Sequence, residues 1–144
     1  MWSSAWFELL KRMGSALNRW AYRASNGRFS GSYRGVPILL LTTTGRKSNK
    51  PRTWPLLYFR NQGRYILIAS NGGADHHPAW LLNLRDHPHA MIEIGRKQID
   101  VIAEEAAGEE RERLWQGASE AYPGYVQYQS RTVREIPVVV LTPG

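Results

Sequence analysis

Apolar residues recur at three- and four-residue spacing through positions 2–22, as Trp2, Trp6, Leu9, Met13, Leu17 and Trp20. On an α-helix this spacing gathers side chains on one face. Leu10 and Ala16 widen the stripe, and Lys11, Arg12, Asn18 and Arg19 occupy the remaining faces. The pattern predicts an amphipathic N-terminal helix. It gives way to Ser25-Asn26-Gly27-Arg28-Phe29-Ser30-Gly31-Ser32, which has the composition of a linker.

Beyond residue 35 the period shortens. Val36 to Thr44 is a nearly continuous apolar and β-branched run that ends at Gly45, the signature of a buried strand. Thr53 to Arg60 predicts a second strand and Arg64 to Ser70 a third, paired as a hairpin across Asn61-Gln62-Gly63. Asn71-Gly72-Gly73 stops that run. Pro78 to Arg85 predicts about two helical turns, with Pro78 at the first position. Ala90 to Ile94 and Gln98 to Ala103 flank Gly95-Arg96-Lys97 as another hairpin. A helix is expected from Glu109 to Ala121, with Leu114, Ala118 and Ala121 on one face and two glutamates where the helix dipole favours them. Tyr125 to Gln129 predicts a further helical turn, and Ile136 to Leu141 a last strand. About six strands joined mostly by hairpins imply antiparallel pairing, and closure into a small barrel would remove exposed edges. The expected class is α+β: a mainly antiparallel β-barrel with peripheral helices, split into an N-terminal helix and linker over 1–30 and a barrel domain over 31–144.

Composition narrows the chemistry. The chain has 144 residues, enough for one core, and no cysteine, which excludes disulfides, iron–sulfur clusters, thiolate zinc sites and a Cys nucleophile. No apolar run approaches the roughly 18–20 residues of a membrane span, and the start lacks the basic region of a signal peptide. A cytoplasmic protein is the expectation. The net charge of +7 is unevenly placed. Residues 1–34 carry six cations against Glu8, residues 35–64 carry six cations and no acid, and residues 65–144 are net −4. A uniformly basic nucleic-acid binder would not divide in this way.

Three segments could carry chemistry. In Thr42-Thr43-Thr44-Gly45-Arg46-Lys47-Ser48-Asn49-Lys50-Pro51-Arg52, four cations fall within seven residues, and they repel unless an anion joins them. The GxxxxGK[ST] spacing of a P-loop is missing, and a solvated basic turn is the plain alternative. In Ala69-Ser70-Asn71-Gly72-Gly73-Ala74, paired glycines would let a flat ligand approach the backbone, or they simply end the strand. In Tyr122-Pro123-Gly124-Tyr125-Val126-Gln127-Tyr128-Gln129, tyrosines at three-residue spacing would share one face of a helical turn. There they would be phenol donors at neutral pH or an aromatic packing face. The pairs His76-His77 and His87-Pro88-His89 lack carboxylate partners at metal-ligand spacing, so no metal site is expected. No GxSxG elbow supports a Ser–His–Asp triad.

In this order, LLLTTTGRKSNKPRTWPLLY, ASNGGADHHPAWLLNLRDHP, YPGYVQYQ and IPVVVLTP resemble the deazaflavin (F420)-dependent nitroreductase and quinone reductase family over about residues 35–143. The resemblance implies a split β-barrel. It implies that Arg46, Lys47, Ser48, Asn49, Lys50 and Arg52 hold the phosphate and acidic tail of coenzyme F420. It places Pro55, Leu56, Ala69, Ser70, Asn71, Gly72, Ala79 and Trp80 around the deazaflavin ring. Ser70, Tyr122, Tyr125 and Tyr128 would shape the acceptor pocket, and hydride would pass to a menaquinone-like quinone or a nitroaromatic. Three positions depart from the family pattern. Asn49 stands where Gly is common and should keep a left-handed turn. His76 stands where Lys is common, which removes an anion contact. Leu81 stands where Tyr is frequent, which should alter the pocket wall. Two competing readings remain: an FMN-binding barrel, and a non-enzymatic module binding nucleic acid or a membrane surface. The Trp-rich stripe at 2–22, flanked by Lys and Arg, fits an in-plane helix on anionic lipid, or a cap over the barrel's open end.

Overall fold

A computed structural model describes residues 32–144. The helix expected over 2–22 and the linker before residue 32 lie outside the described residues. Among the described residues are β1 (Ser32–Tyr33), β2 (Val36–Thr44), β3 (Pro51–Leu57), β4 (Phe59–Asn61), β5 (Arg64–Ile68), β6 (His89–Ile94), β7 (Lys97–Glu105) and β8 (Val138–Pro143). The helices are α1 (Ala79–Asp86), α2 (Gly108–Ala121) and α3 (Gly124–Ser130), and a 3-10 turn covers Asn71–Gly73.

All pairings are antiparallel, in the order β3-β2-β6-β7-β8-β5-β4, with β1 also on β2. The two ends of this path, β3 and β4, are separated in the chain by Tyr58 alone. The sheet therefore curls until its ends adjoin, with the chain itself rather than a ladder of hydrogen bonds joining them. This is the antiparallel barrel expected from the hairpins, in the split form that the resemblance implies. Thr53 to Arg60 is not one strand, however. Its first part pairs with β2 and its second with β5, and the change of partner falls at Tyr58, whose N–H donates to Pro37 O at 3.1 Å. The hairpin after it closes through Gln62 (φ 54°) and Gly63 (φ 77°), the two left-handed residues of a tight turn. The prolines Pro51 and Pro55 are tolerated because β3 pairs on one side only.

The continuous apolar runs arise because β5 and β8 are covered on both faces. Tyr65, Leu67, Val139 and Leu141 point into the barrel with Leu39, Leu41, Ile92 and, from α1, Trp80, Leu81 and Leu84. Ile66, Ile68, Val138 and Val140 face the other way, under Leu114 and Ala118 of α2 and the three tyrosines. Burying each such side chain contributes roughly 1.5–3 kcal/mol. Ala121, expected on the buried face of α2, is exposed, and Arg111 fills the buried stripe instead. Its guanidinium donates to Ile136 O at 2.7 Å and lies 5.4 Å from the Trp115 ring. No helix among the described residues is long and apolar enough to cross a membrane.

Candidate active site

Two cavities meet behind β3, and Pro55, Leu56, Asn71 and Trp80 line both, so they form one cleft. The inner lobe is narrow, about 60 Å³, and is walled by the apolar ends of β2, β3 and β5, by Ser70 and Gly72, and by Tyr122, Tyr125 and Tyr128. The outer lobe is wider, about 320 Å³, and adds Arg46, Trp54, His76, His77, Pro78, Ala79 and Leu82. The indole N–H of Trp54 is a buried donor with no partner among the described residues, the kind of group a bound acceptor would satisfy.

The basic segment is the hairpin turn between β2 and β3. Gly45 N donates to Lys50 O and Asn49 N to Gly45 O, both at 2.8 Å, and Lys50 N donates to Ser48 Oγ at 3.2 Å. Asn49 has φ 59°, so it supplies the left-handed turn expected of it. Arg46 reaches the outer lobe, whereas Lys47, Ser48, Asn49, Lys50 and Arg52 are exposed beside it and line neither lobe. A residue that the sequence reading passed over anchors this turn. Asn83 of α1 accepts from Arg46 N at 3.0 Å and donates to Thr43 Oγ1 at 2.9 Å, buried against the barrel. Its only sequence signal is a polar residue on the buried face of an amphipathic helix.

The glycine turn sits at the junction of the lobes. Ser70, Asn71 and Gly72 line the cleft, with Asn71 at φ 48° and Gly72 at φ 66°, and a Cβ on Gly72 would meet open space. Gly73 has a different task. A Cβ there would come within 3.1 Å of Tyr128 Cα and O, so its absence lets α3 pack on the turn. Ala69 is fully buried in the barrel and presents only its carbonyl, to Arg134. Arg134 was also overlooked in the sequence. It donates Nε to Ala74 O (2.8 Å), Nη2 to Ser70 O (2.9 Å) and both Nη atoms to Ala69 O (3.3 Å), and Nη1 meets His77 Nδ1 at 2.9 Å. Burial first, then Arg134 and Arg85, hold the His77 imidazole below its usual pKa.

The tyrosines converge, but not as one helical face. Tyr122 ends α2, while Tyr125 and Tyr128 lie on α3 beyond Pro123-Gly124. A Cβ at Gly124 would lie 2.6 Å from the Tyr122 ring, so this glycine permits the reversal. The Tyr122 and Tyr125 rings pack edge-to-face with centroids 4.8 Å apart, and Tyr122 Oη and Tyr128 Oη are 3.2 Å apart. Burial raises the pKa of both Tyr122 and Tyr125. Both therefore stay protonated and can donate a proton or a hydrogen bond, and neither can serve as a base near neutral pH.

Two expectations from the departures resolve differently. His76 does line the outer lobe. Leu81 does not alter the cleft wall, because it points into the barrel core at 1% exposure while Trp80 and Leu82 face the cleft.

Comparison with known proteins gives a consistent pattern. A family model described as F420H(2)-dependent quinone reductase matches residues 15–143. An F420H(2)-dependent quinone reductase of Mycobacterium tuberculosis (strain ATCC 25618 / H37Rv) is 43% identical over 125 residues, 84% of each chain. A solved F420-H2 dependent reductase is 45% identical with a TM-score of 0.67, covering 73% of this chain and 93% of its own. A second solved structure, described as a domain-swapped dimer, is 40% identical with a TM-score of 0.68, covering 86% and 98%.

Proposed function

The chain belongs to the F420H(2)-dependent quinone reductase family, and on that premise we propose that its cleft holds coenzyme F420 across both lobes and reduces a quinone in the inner one. The observation that carries this reading is the polarity of the cleft. One end is apolar and tyrosine-lined, and the other opens on a hairpin with four exposed cations. A flat ring with a long anionic tail fits that division.

The residues fit the group at each end. Gly72 leaves open space where a side chain would otherwise stand against a ring, and Pro55, Leu56 and Trp80 offer apolar contact between the lobes. Arg46, Lys47, Lys50 and Arg52 would grip the acidic tail, with Asn83 fixing the turn that presents them. When bound, the reduced coenzyme supplies a hydride. Binding energy spent on the tail holds the ring in place for an acceptor that makes few contacts of its own. Ser70, Tyr125 and the Tyr122–Tyr128 pair face the space where a reduced carbonyl would gather negative charge. Their hydroxyls would donate hydrogen bonds to it and thereby lower the barrier. A nitroaromatic oxygen would be received in the same way.

The amphipathic stripe at 2–22 would bring the cleft to a quinone dissolved in an anionic membrane. Mixing the protein with reduced F420 and a panel of quinones and nitroarenes tests the reaction. Return of the oxidised coenzyme's absorbance and fluorescence with quinones is expected, and no return with any acceptor would remove the reading.

A further inference from the structure

Arg134 uses every N–H that its guanidinium has. An arginine carries five such donors in a fixed fork. Here one goes to Ala74 O, one to Ser70 O, two to Ala69 O and the fifth to His77 Nδ1. The acceptors span the end of β5, the exit of the 3-10 turn and the segment leading into α1. One side chain therefore ties together three stretches that wall the cleft. It is itself held from behind. Gln129 of α3 donates to Arg134 O at 2.7 Å and accepts from Ile136 N at 2.9 Å, which couples the tyrosine helix to the same support.

Arginine only donates, so Nδ1 of His77 must be the acceptor and the ring must be neutral, with its proton on Nε2. We propose that Arg134 is the positioning residue of the glycine turn and that His77 is its proton-operated latch. A neutral ring closes the set of five bonds, and a protonated ring faces Arg134 with a second cation and loosens the turn that carries Ser70, Asn71 and Gly72. The proposal rests on the reading of this cleft as the coenzyme site. The charges around the ring agree with it. Arg134 comes from the loop before β8, Arg85 from α1 and Glu105 from β7, while Asp75 acts on Arg134 and His76 precedes the ring in the chain. Among the described residues, Glu105 is the one acid acting directly on the ring, and Arg85 already engages both its oxygens at 2.8 and 2.9 Å.

The test has two arms. In the protein without coenzyme, nitrogen NMR of the imidazoles should find His77 Nδ1 unprotonated near pH 7 and its protonation midpoint below the ordinary value of about 6.5. Amide exchange at Asn71–Ala74 should quicken as that proton is taken up. In the second arm, F420 binding is titrated in three proteins. Wild-type affinity should fall about tenfold from about pH 7.5 to about pH 5. His77→Gln, whose amide oxygen accepts the same N–H but does not titrate, should change less than about threefold over that range. The coenzyme's own ionisations are common to both and cancel. Arg134→Lys, with three donors for four acceptors, should bind about tenfold more weakly at pH 7.5. An Nδ1–H tautomer, parallel pH profiles in wild type and His77→Gln, or wild-type affinity in Arg134→Lys would each overturn the proposal. If Arg134→Lys does not fold, the tautomer and the His77→Gln profile decide. If the wild type binds no F420 at any pH, the coenzyme reading fails, and the first arm still decides whether His77 latches the turn.

Discussion

Burial gives the Tyr125 hydroxyl one role. The ring is 4% exposed, between Phe59, Trp115, Tyr122 and Tyr128, and its phenolate is disfavoured there. Removing an aligned donor from developing charge costs rate rather than binding. Tyr125→Phe and Ser70→Ala should each lower kcat about tenfold to a hundredfold while the Kd for F420 moves less than about threefold. Unchanged kcat in both would take them out of the reaction. The sign of the pH effect follows from the same burial. For Tyr122 and Tyr125 the folded pKa lies above the unfolded value of about 10. The unfolded chain therefore loses these protons first, and stability is full below about pH 10 and falls above it. An absorbance titration should show at least two of the seven tyrosines un-ionised past about pH 11 until the protein unfolds. Ionisation of all seven in one step near pH 10 would mean that the pair is solvated.

At the scale of elements, the two glycines after β5 would separate packing from ligand contact. Both have left-handed backbone, which costs a side chain roughly 1–2 kcal/mol. Gly73 adds a contact with Tyr128 backbone that cannot yield, whereas Gly72 faces open space. Gly73→Ala should therefore lower the unfolding free energy by about 1 kcal/mol more than Gly72→Ala, as read by urea titration. Gly72→Ala should have the larger effect on F420 affinity. Equal losses in both measurements would refute this division of roles. The same region shows what sequence could and could not disclose. β2, the β6–β7 hairpin, α2 and the glycine turn were legible because local period and turn residues specify them. The break at Tyr58 was not, since it comes from a change of strand partner, which is a tertiary choice. Arg134 and Asn83 were not legible for a similar reason: their hydrogen-bond partners lie 57 to 65 and 37 to 40 residues away in the chain. The tyrosine segment was found, but its three-residue spacing suggests one face of a helical turn, whereas Tyr122 caps α2 and Pro123-Gly124 separates it from the two tyrosines of α3.

At the scale of the whole molecule, the cations of the basic first half would serve two binding tasks that can be separated by experiment. The four cations at Arg46, Lys47, Lys50 and Arg52 are solvent-exposed, so their attraction for an anionic tail is screened over roughly 8–10 Å at physiological salt. Lys47→Gln combined with Lys50→Gln and Arg52→Gln should weaken F420 binding and flatten its dependence on salt, with Tm nearly unchanged. A steep salt dependence surviving in that variant would place the tail elsewhere. Lys11, Arg12 and Arg19 flank the apolar stripe at 2–22, and interfacial binding there would need both halves of the pattern: charge to draw the segment to anionic lipid, and tryptophans to hold it in the headgroup region. Flotation with vesicles of anionic lipid should carry the full chain and leave behind a chain lacking residues 1–30. The truncated chain keeps every residue of the cleft and its basic hairpin, so it should bind F420 as the full chain does, and that binding reports that it has folded. Raising the salt should release the full chain only in part, because the apolar stripe is not screened. Equal flotation of the two chains would end the membrane reading, and a loss of F420 binding on truncation would mean that the segment covers the cleft instead.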